Sequence, residues 1–224
     1  MNRTKGTRLL LMSGAVGPLL FITVFLIEGG SRPGYSAWRN YVSSLSLSDQ
    51  GWVQIVNFIV CGVLTIFFAV GLRRVARPGR GSRWGPVLLG IFGLALISAG
   101  LFVTDPGLGY PPGSGTSRTA HGIVHGLSGL LSFSSLAAAS FVMARRFAAD
   151  PAARGWALYS TATGAVVALG FVAMTAFSTL DEKGILSPGP TGLIQRIAIV
   201  AGWGWIALLA IHLIRTGADV ASSA

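Results

Sequence analysis

Residues 52–83 read WVQIVNFIVCGVLTIFFAVGLRRVARPGRGSR. Twenty-one uncharged and mostly apolar residues, Trp52–Leu72, run directly into a segment carrying Arg73, Arg74, Arg77, Arg80 and Arg83 and broken by Pro78, Gly79 and Gly81. A hydrocarbon core about 30 Å thick is crossed by about 20 helical residues, so the first part reads as a membrane span. The second part is the loop that ends it. Its charge predicts the cytoplasmic side, where Lys and Arg in short loops are retained.

Five further runs repeat the pattern: Leu9–Ile27, Pro86–Thr104, His121–Ala144, Trp156–Leu180 and Leu193–Ile214. None contains Asp, Glu or Lys, and Arg196 is the only arginine inside one. The expected fold is therefore all-α, a six-transmembrane-helix bundle forming a single integral membrane domain over residues 1–224. Composition agrees: 52% of the 224 residues are hydrophobic and 11% charged, with a mean hydropathy of +0.66, whereas roughly a quarter of a soluble domain is charged. The first run is too long for a signal-peptide core of about 7–15 residues and no A-x-A site follows it. It is read as a helix bent at Gly17-Pro18.

The formal charge of +10 would in a soluble chain suggest nucleic acid, but the basic residues are sorted by loop. Arg3, Lys5, Arg8, Arg73, Arg74, Arg77, Arg80, Arg83, Arg145, Arg146, Arg154 and Arg215 fall on one side, with only Asp150 and Asp219 against them. Arg32, Arg39, Arg118, Lys183 and Arg196 fall on the other, balanced by Glu28, Asp49, Asp105, Asp181 and Glu182. The charge is a topology signal, placing both termini in the cytoplasm of a multi-pass inner-membrane protein whose partner is the lipid bilayer and not nucleic acid. Trp38, Trp52, Trp84 and Trp156 fall at span ends, as indoles do at membrane interfaces. The glycines inside spans, Gly90/Gly93, Gly122/Gly126/Gly129 and Gly202/Gly204, are expected to mark close helix contacts.

The longest outer loop, 28–51, holds Tyr35, Trp38, Val42 and Leu45 at spacings that share one face of a short amphipathic helix, with Arg39, Ser43 and Ser46 turned away. Such a helix would lie at the interface or cap the bundle, or serve as a lid whose Arg39-Asn40 pair contacts a ligand. Two polar stripes run down the spans. His121, His125, Ser128, Ser132 and Ser135 follow a helical period in the fourth, and Gln54, Asn57, Cys61 and Thr65 in the second. Because polar groups facing lipid are costly, the stripes should face each other or a wet cavity open to the outside. Arg39, Asn40, Ser44, Gln54, Asn57, Gln195 and Arg196 are the expected lining of that pocket, which would bind a small or lipid-like ligand.

His121 and His125 lie one turn apart at a helix N-terminus, where the dipole favours neutral imidazole, the ligand and general-base form. With Asp105 they make a two-histidine, one-carboxylate set suited to zinc, or Asp105 orients a histidine from behind. Ser128 and its neighbours are the available nucleophiles, although transmembrane serines also bond back to their own helix. His212 is at the cytoplasmic end and cannot join this group. Arg196 is expected to pair with Asp105, Asp181 or Glu182 or to reach the outer surface. The single cysteine, Cys61, allows no intrachain disulfide, and no GxSxG, P-loop or dinucleotide fingerprint occurs.

The run Tyr35-Ser36-Ala37-Trp38-Arg39-Asn40-Tyr41-Val42-Ser43-Ser44-Leu45, the closing Thr104-Asp105-Pro106 of the third span and the His121…His125 opening of the fourth resemble the bacterial and archaeal membrane proteins called domain of unknown function 998. The resemblance extends over about residues 10–215 and implies six membrane helices without a settled activity. More loosely, Ser, Asp and HxxxH are similar to the zinc site of the alkaline-ceramidase type of lipid hydrolase, which has seven helices and a third histidine ligand. Three functions follow as expectations: a pocket for a small or lipid-like ligand, a metal-assisted hydrolase using Asp105, His121 and His125, and a small transporter. The last needs polar groups deep in the membrane, and Thr65, Ser135, Tyr159, Ser160 and Thr163 are weak material for it.

Overall fold

The computed structural model describes residues 2–76, 79, 81–115 and 117–222. Arg77 and Arg80 of the arginine-rich loop lie outside the described residues. Six long helices account for the runs: α1 (Asn2–Ser31), α2 (Gly51–Val75), α3 (Trp84–Leu101), α4 (Ala120–Phe147), α5 (Arg154–Glu182) and α6 (Thr191–Ser222). All six are long and apolar enough to cross a membrane, and this is a multi-pass membrane protein. α1 passes through Pro18 without interruption. α3 stops short of the expected Thr104, because Phe102 turns extended ahead of Asp105-Pro106.

Each helix packs on its neighbours in the chain and α1 packs on α6, closing a ring. The long connections after α1, α3 and α5 meet at one end, where Arg39 bonds Asp181, Asn40 bonds the Leu108 carbonyl and the Leu193 N–H bonds the Trp38 carbonyl. We call this the cap end, and the opposite one the terminal end.

The ring is held differently at each seam. At the α2–α3 crossing the two backbones touch: a Cβ on Gly62 would sit 2.6 Å from the Gly93 carbonyl oxygen, and one on Gly93 would sit 2.7 Å from that of Gly62. Between α1 and α2 the polar stripe of α2 is buried, with the Asn57 amide donating to the Phe21 carbonyl at 3.2 Å and the Cys61 thiol facing the Gly17 carbonyl at 3.5 Å. Inside the ring Trp203 stacks on Phe21 at 4.8 Å, and Trp205 donates to the Ser160 hydroxyl at 2.9 Å, which satisfies both polar groups in the interior. Leu19, Leu94, Leu158, Leu169 and Val172 point outward, as expected of side chains whose solvent is lipid. Trp52 and Trp84 are likewise exposed at helix ends.

Two expectations are corrected. Of the span glycines, Gly93 and Gly202 mark helix contacts and Gly122 packs on the Asp105 carboxylate, but a Cβ on Gly90, Gly126, Gly129 or Gly204 would meet nothing within 4 Å. The first outer loop contains no amphipathic helix through residues 35–45. Only Val42–Ser46 is helical, as one 3-10 turn, and all five residues are buried. Trp38 is exposed while Val42 and Leu45 are enclosed, so they do not share a face. Side chains compete for its backbone groups, one from a distant helix and one local: the Val42 N–H goes to the Gln195 side chain at 2.7 Å, and the Asn40 side chain accepts from the Ser36 N–H within the same segment.

Candidate functional site

The turn Val42–Ser46 plugs the mouth of the ring, and the polar residues around it are engaged in holding it there. Arg39 makes a two-pronged pair with Asp181, at 2.8 and 2.7 Å, and reaches Ser187. Asp181 also accepts the Gly189 N–H at 3.0 Å. Arg196 donates to the carbonyls of Ala37, Asn40 and Gly192 and to the Tyr35 hydroxyl, and Tyr35 donates to the Tyr41 carbonyl. Burial pushes the Tyr35 phenol above its ordinary pKa, against the opposing pull of the Arg196 guanidinium. Arg32 is buried too, binding Glu28, the Ser48 hydroxyl and the Gln50 carbonyl.

Beneath the plug lies a cavity of about 70 Å³, where a single water needs roughly 10–15 Å³. Val42 and Ser43 form its roof; Phe21, Phe58, Leu96, Ala99, Ile199 and Gln195 form walls; Phe92, Leu136 and Trp203 complete it, with His125, Gly129, Ser132 and Phe133 along α4. Of these only Gly129 and Phe133 are half-exposed, so the cavity approaches the outer surface along α4. Its lining is mainly apolar, unlike the polar pocket that the stripes suggested.

His125 is the most chemically pointed group there. Its Nδ1 lies 3.0 Å from the Ala99 carbonyl and 2.9 Å from that of Phe102. Carbonyl oxygens only accept, so Nδ1 carries the proton, and in the neutral form of the ring the lone pair is on Nε2. The bond also satisfies the end of α3, whose last carbonyls have no partner within the helix.

The segments at this end are also those that carry the family resemblance. The family described as protein of unknown function (DUF998) matches residues 15–212. The chain belongs to the DUF998 family. No curated protein and no solved structure matches it.

In this DUF998 protein the sequence-derived candidates separate into groups. Arg39, Asn40, Gln195 and Arg196 anchor the plug, and Arg196 pairs with none of Asp105, Asp181 and Glu182 but with backbone carbonyls. Ser44 is buried inside the turn. Asn57 faces α1, its amide also donating to Gln54, which is fully buried and whose own NH₂ has no partner among the described residues. The stripe of α4 instead faces α3, where Ser98 donates to Ser128 at 2.8 Å and Ser128 donates to the Val124 carbonyl. The two stripes therefore do not meet. Ser128 is not poised as a nucleophile, since its proton is bound within its own helix, as are those of Ser132 and Ser135.

Asp105, His121 and His125 are not assembled as a metal site. Among the described residues no three His, Cys, Asp or Glu side chains form a group able to hold a metal ion. His121 is exposed and packs edge-on against Phe102, while Asp105 is occupied by the Thr119 hydroxyl at 2.6 Å and the Thr119 N–H at 2.9 Å. Thr119 in turn caps α4 by accepting the Gly122 N–H. These bonds hold the Asp105 carboxyl below its ordinary pKa, with the Thr119 hydroxyl as the larger cause. A carboxylate with a depressed pKa stabilises the fold fully above the ordinary carboxylate range and loses that contribution as pH falls through the depressed value. Thermal unfolding of purified protein across that range should show an acid-side loss of stability that Asp105→Ala lacks. Parallel pH profiles would show that the brace contributes nothing.

The residues that sequence reading missed are the apolar lining, Phe21, Phe58, Phe92, Ile199 and Trp203. In a membrane protein lipid-facing and interior residues are equally apolar, so no periodic signal separates them.

Proposed function

We propose that this protein binds a neutral, predominantly apolar, lipid-like molecule in the capped cavity, with the cap end outside and both termini in the cytoplasm. The observation that carries the reading is a capped, largely buried apolar space whose polar groups, Ser43, His125, Ser132 and Gln195, include no charged side chain. An ionised headgroup would be left unpaired there, whereas a hydroxyl can be met from both directions. The Nε2 lone pair of His125 can accept its proton. The Gln195 amide, whose oxygen is held by the Val42 N–H, has its NH₂ left to donate.

Orientation is supported by the basic residues of the terminal end and the balanced charges of the cap end. With Cys61 buried and silent, a cysteine in place of the exposed Ser114 should react with an impermeant thiol reagent added outside intact cells. Labelling only after lysis would reverse the topology. Transport is disfavoured because the cavity does not continue as a polar path. Phe92, Leu136 and Trp203 line it, Thr65 bonds back to its helix and Ser160 is taken by Trp205.

The binding test uses Gly129, where a Cβ would meet nothing within 4 Å although the residue lines the cavity. Gly129→Phe should fill the space without disturbing a neighbour. Mass spectrometry of lipids extracted from detergent-purified protein should find about one equivalent of a neutral hydroxylated lipid with the wild type and at least tenfold less with the variant, at unchanged melting temperature. Wild type without bound lipid, or a variant retaining the same amount, would defeat the reading.

A further inference from the structure

At the terminal end, far from the cavity and its plug, α5 and α6 part around a surface groove of about 350 Å³ lined by Ala152, Gly155, Trp156, Tyr159 and Leu208. One wall is rigid and aromatic. The Trp156 ring lies 4.6 Å from that of His212, 5.7 Å from Phe147 and 5.9 Å from Tyr159. The other wall is Leu208, and at i+4 and i+7 from it on the same stripe of α6 stand His212 and Arg215. Arg154 immediately precedes Gly155 at the start of α5, and Arg145 lies in the last turn of α4.

Arg145, Arg154 and Arg215 are exposed, and neither of the ion pairs among the described residues involves them. The carboxylate of the 148–153 connection, Asp150, accepts the Ala152 N–H on one oxygen and is in neither ion pair. An apolar cleft bounded by indole and phenol, with Arg154 and Arg215 on the two helices that line it, matches a molecule that is apolar along its length and anionic at one end. The cleft lies near one end of a membrane-spanning pair of helices and is walled by Trp and Tyr, the residues that settle at the level of the headgroups. A second copy of this chain fits poorly, since a two-fold contact here would bring the same arginines face to face.

We propose that this groove is a binding site for one anionic phospholipid. An acyl chain lies between Trp156, Tyr159 and Leu208, and the phosphate is held by Arg154 and Arg215. Basic clefts between transmembrane helices on the cytoplasmic side recognise anionic headgroups in this way. The site differs from the capped cavity in position, lining and charge, and stands whether or not that cavity holds a ligand.

The test is a titration of detergent-purified full-length protein with phosphatidylglycerol or with phosphatidylcholine of the same chains, counting adducts by native mass spectrometry. One phosphatidylglycerol should be retained preferentially over phosphatidylcholine. R154Q/R215Q should weaken it by about thirtyfold, the equivalent of about 1 kcal/mol per cation. Because a general loss of positive charge would act similarly, the second variant is neutral. Gly155→Leu fills the groove floor, where a Cβ meets nothing within 4 Å, and should abolish the preference while all arginines remain. Equal retention of the two lipids, or full retention by Gly155→Leu, overturns the proposal. So does displacement of the lipid by millimolar inorganic phosphate, which would mark a phosphate site, or a change in oligomeric state with Gly155→Leu at unchanged lipid binding, which would mark a protein contact.

Discussion

Arg39→Ala is expected to cost about 2–3 kcal/mol, because it strands the carboxylate of Asp181 in a place where the chain has removed water from it. Asp181 is only 3% exposed, and without the guanidinium it keeps just two neutral partners, the Gly189 N–H and the Ser187 hydroxyl. The pair ties the first long connection to the last turn of α5, so its loss should loosen the plug as a unit. Thermal unfolding in detergent micelles measures the effect. The double variant Arg39→Ala/Asp181→Ala should be less destabilised than the sum of the single variants, since removing both partners leaves no orphaned charge. If Arg39→Ala alone shifts stability by under about 0.5 kcal/mol, the pair is of the weak, solvent-screened kind, and the plug is held by Asn40, Gln195 and Arg196 alone.

Gly93→Leu should be at least as damaging, by about 3 kcal/mol, for a different reason. No polar group is orphaned; instead two backbones are forced apart. A Cβ at this position would lie 2.7 Å from the Gly62 carbonyl oxygen and 2.8 Å from the Ile66 side chain. The carbonyl cannot rotate away without breaking the hydrogen bonding of α2, so the α2–α3 crossing must open. Gly90→Leu is the control. It lies one turn away on the same helix, and a Cβ there meets nothing within 4 Å, so its effect should be near zero or favourable through helix propensity. Equal losses from the two substitutions would mean that leucine harms α3 through something other than this contact.

Those two glycines show where sequence reading stops. Both occur in one apolar run and both allow close packing in principle, yet one touches a backbone and the other touches nothing. The same holds for the charged residues. Arg39 and Arg196 have the composition of a ligand-binding pair, and either is chemically able to bind an anion. Only the fold shows that the loop carrying Arg39 turns inward, so that Arg39 meets Asp181 and Arg196 meets three carbonyls. His121 and His125, adjacent on a helical wheel, part for a similar reason: α3 ends beside His125 and offers it unpaired carbonyls, while His121, one turn further out, is exposed.

What the chain determines locally is its membrane architecture. Six apolar runs, their Pro, Gly and arginine stops, and the residues of the 35–45, 104–106 and 121–125 segments were enough for the number of helices and the family, because the cost of placing charge or unpaired backbone in hydrocarbon acts on each segment by itself. Which face of each helix turns inward was decided only by tertiary structure. In lipid an apolar side chain gains little by leaving its solvent, so inside and outside are chemically alike, and close backbone approach, shape and the pairing of a few polar groups select the arrangement. The plug, the apolar cavity beneath it and the separation of Asp105, His121 and His125 all follow from that selection.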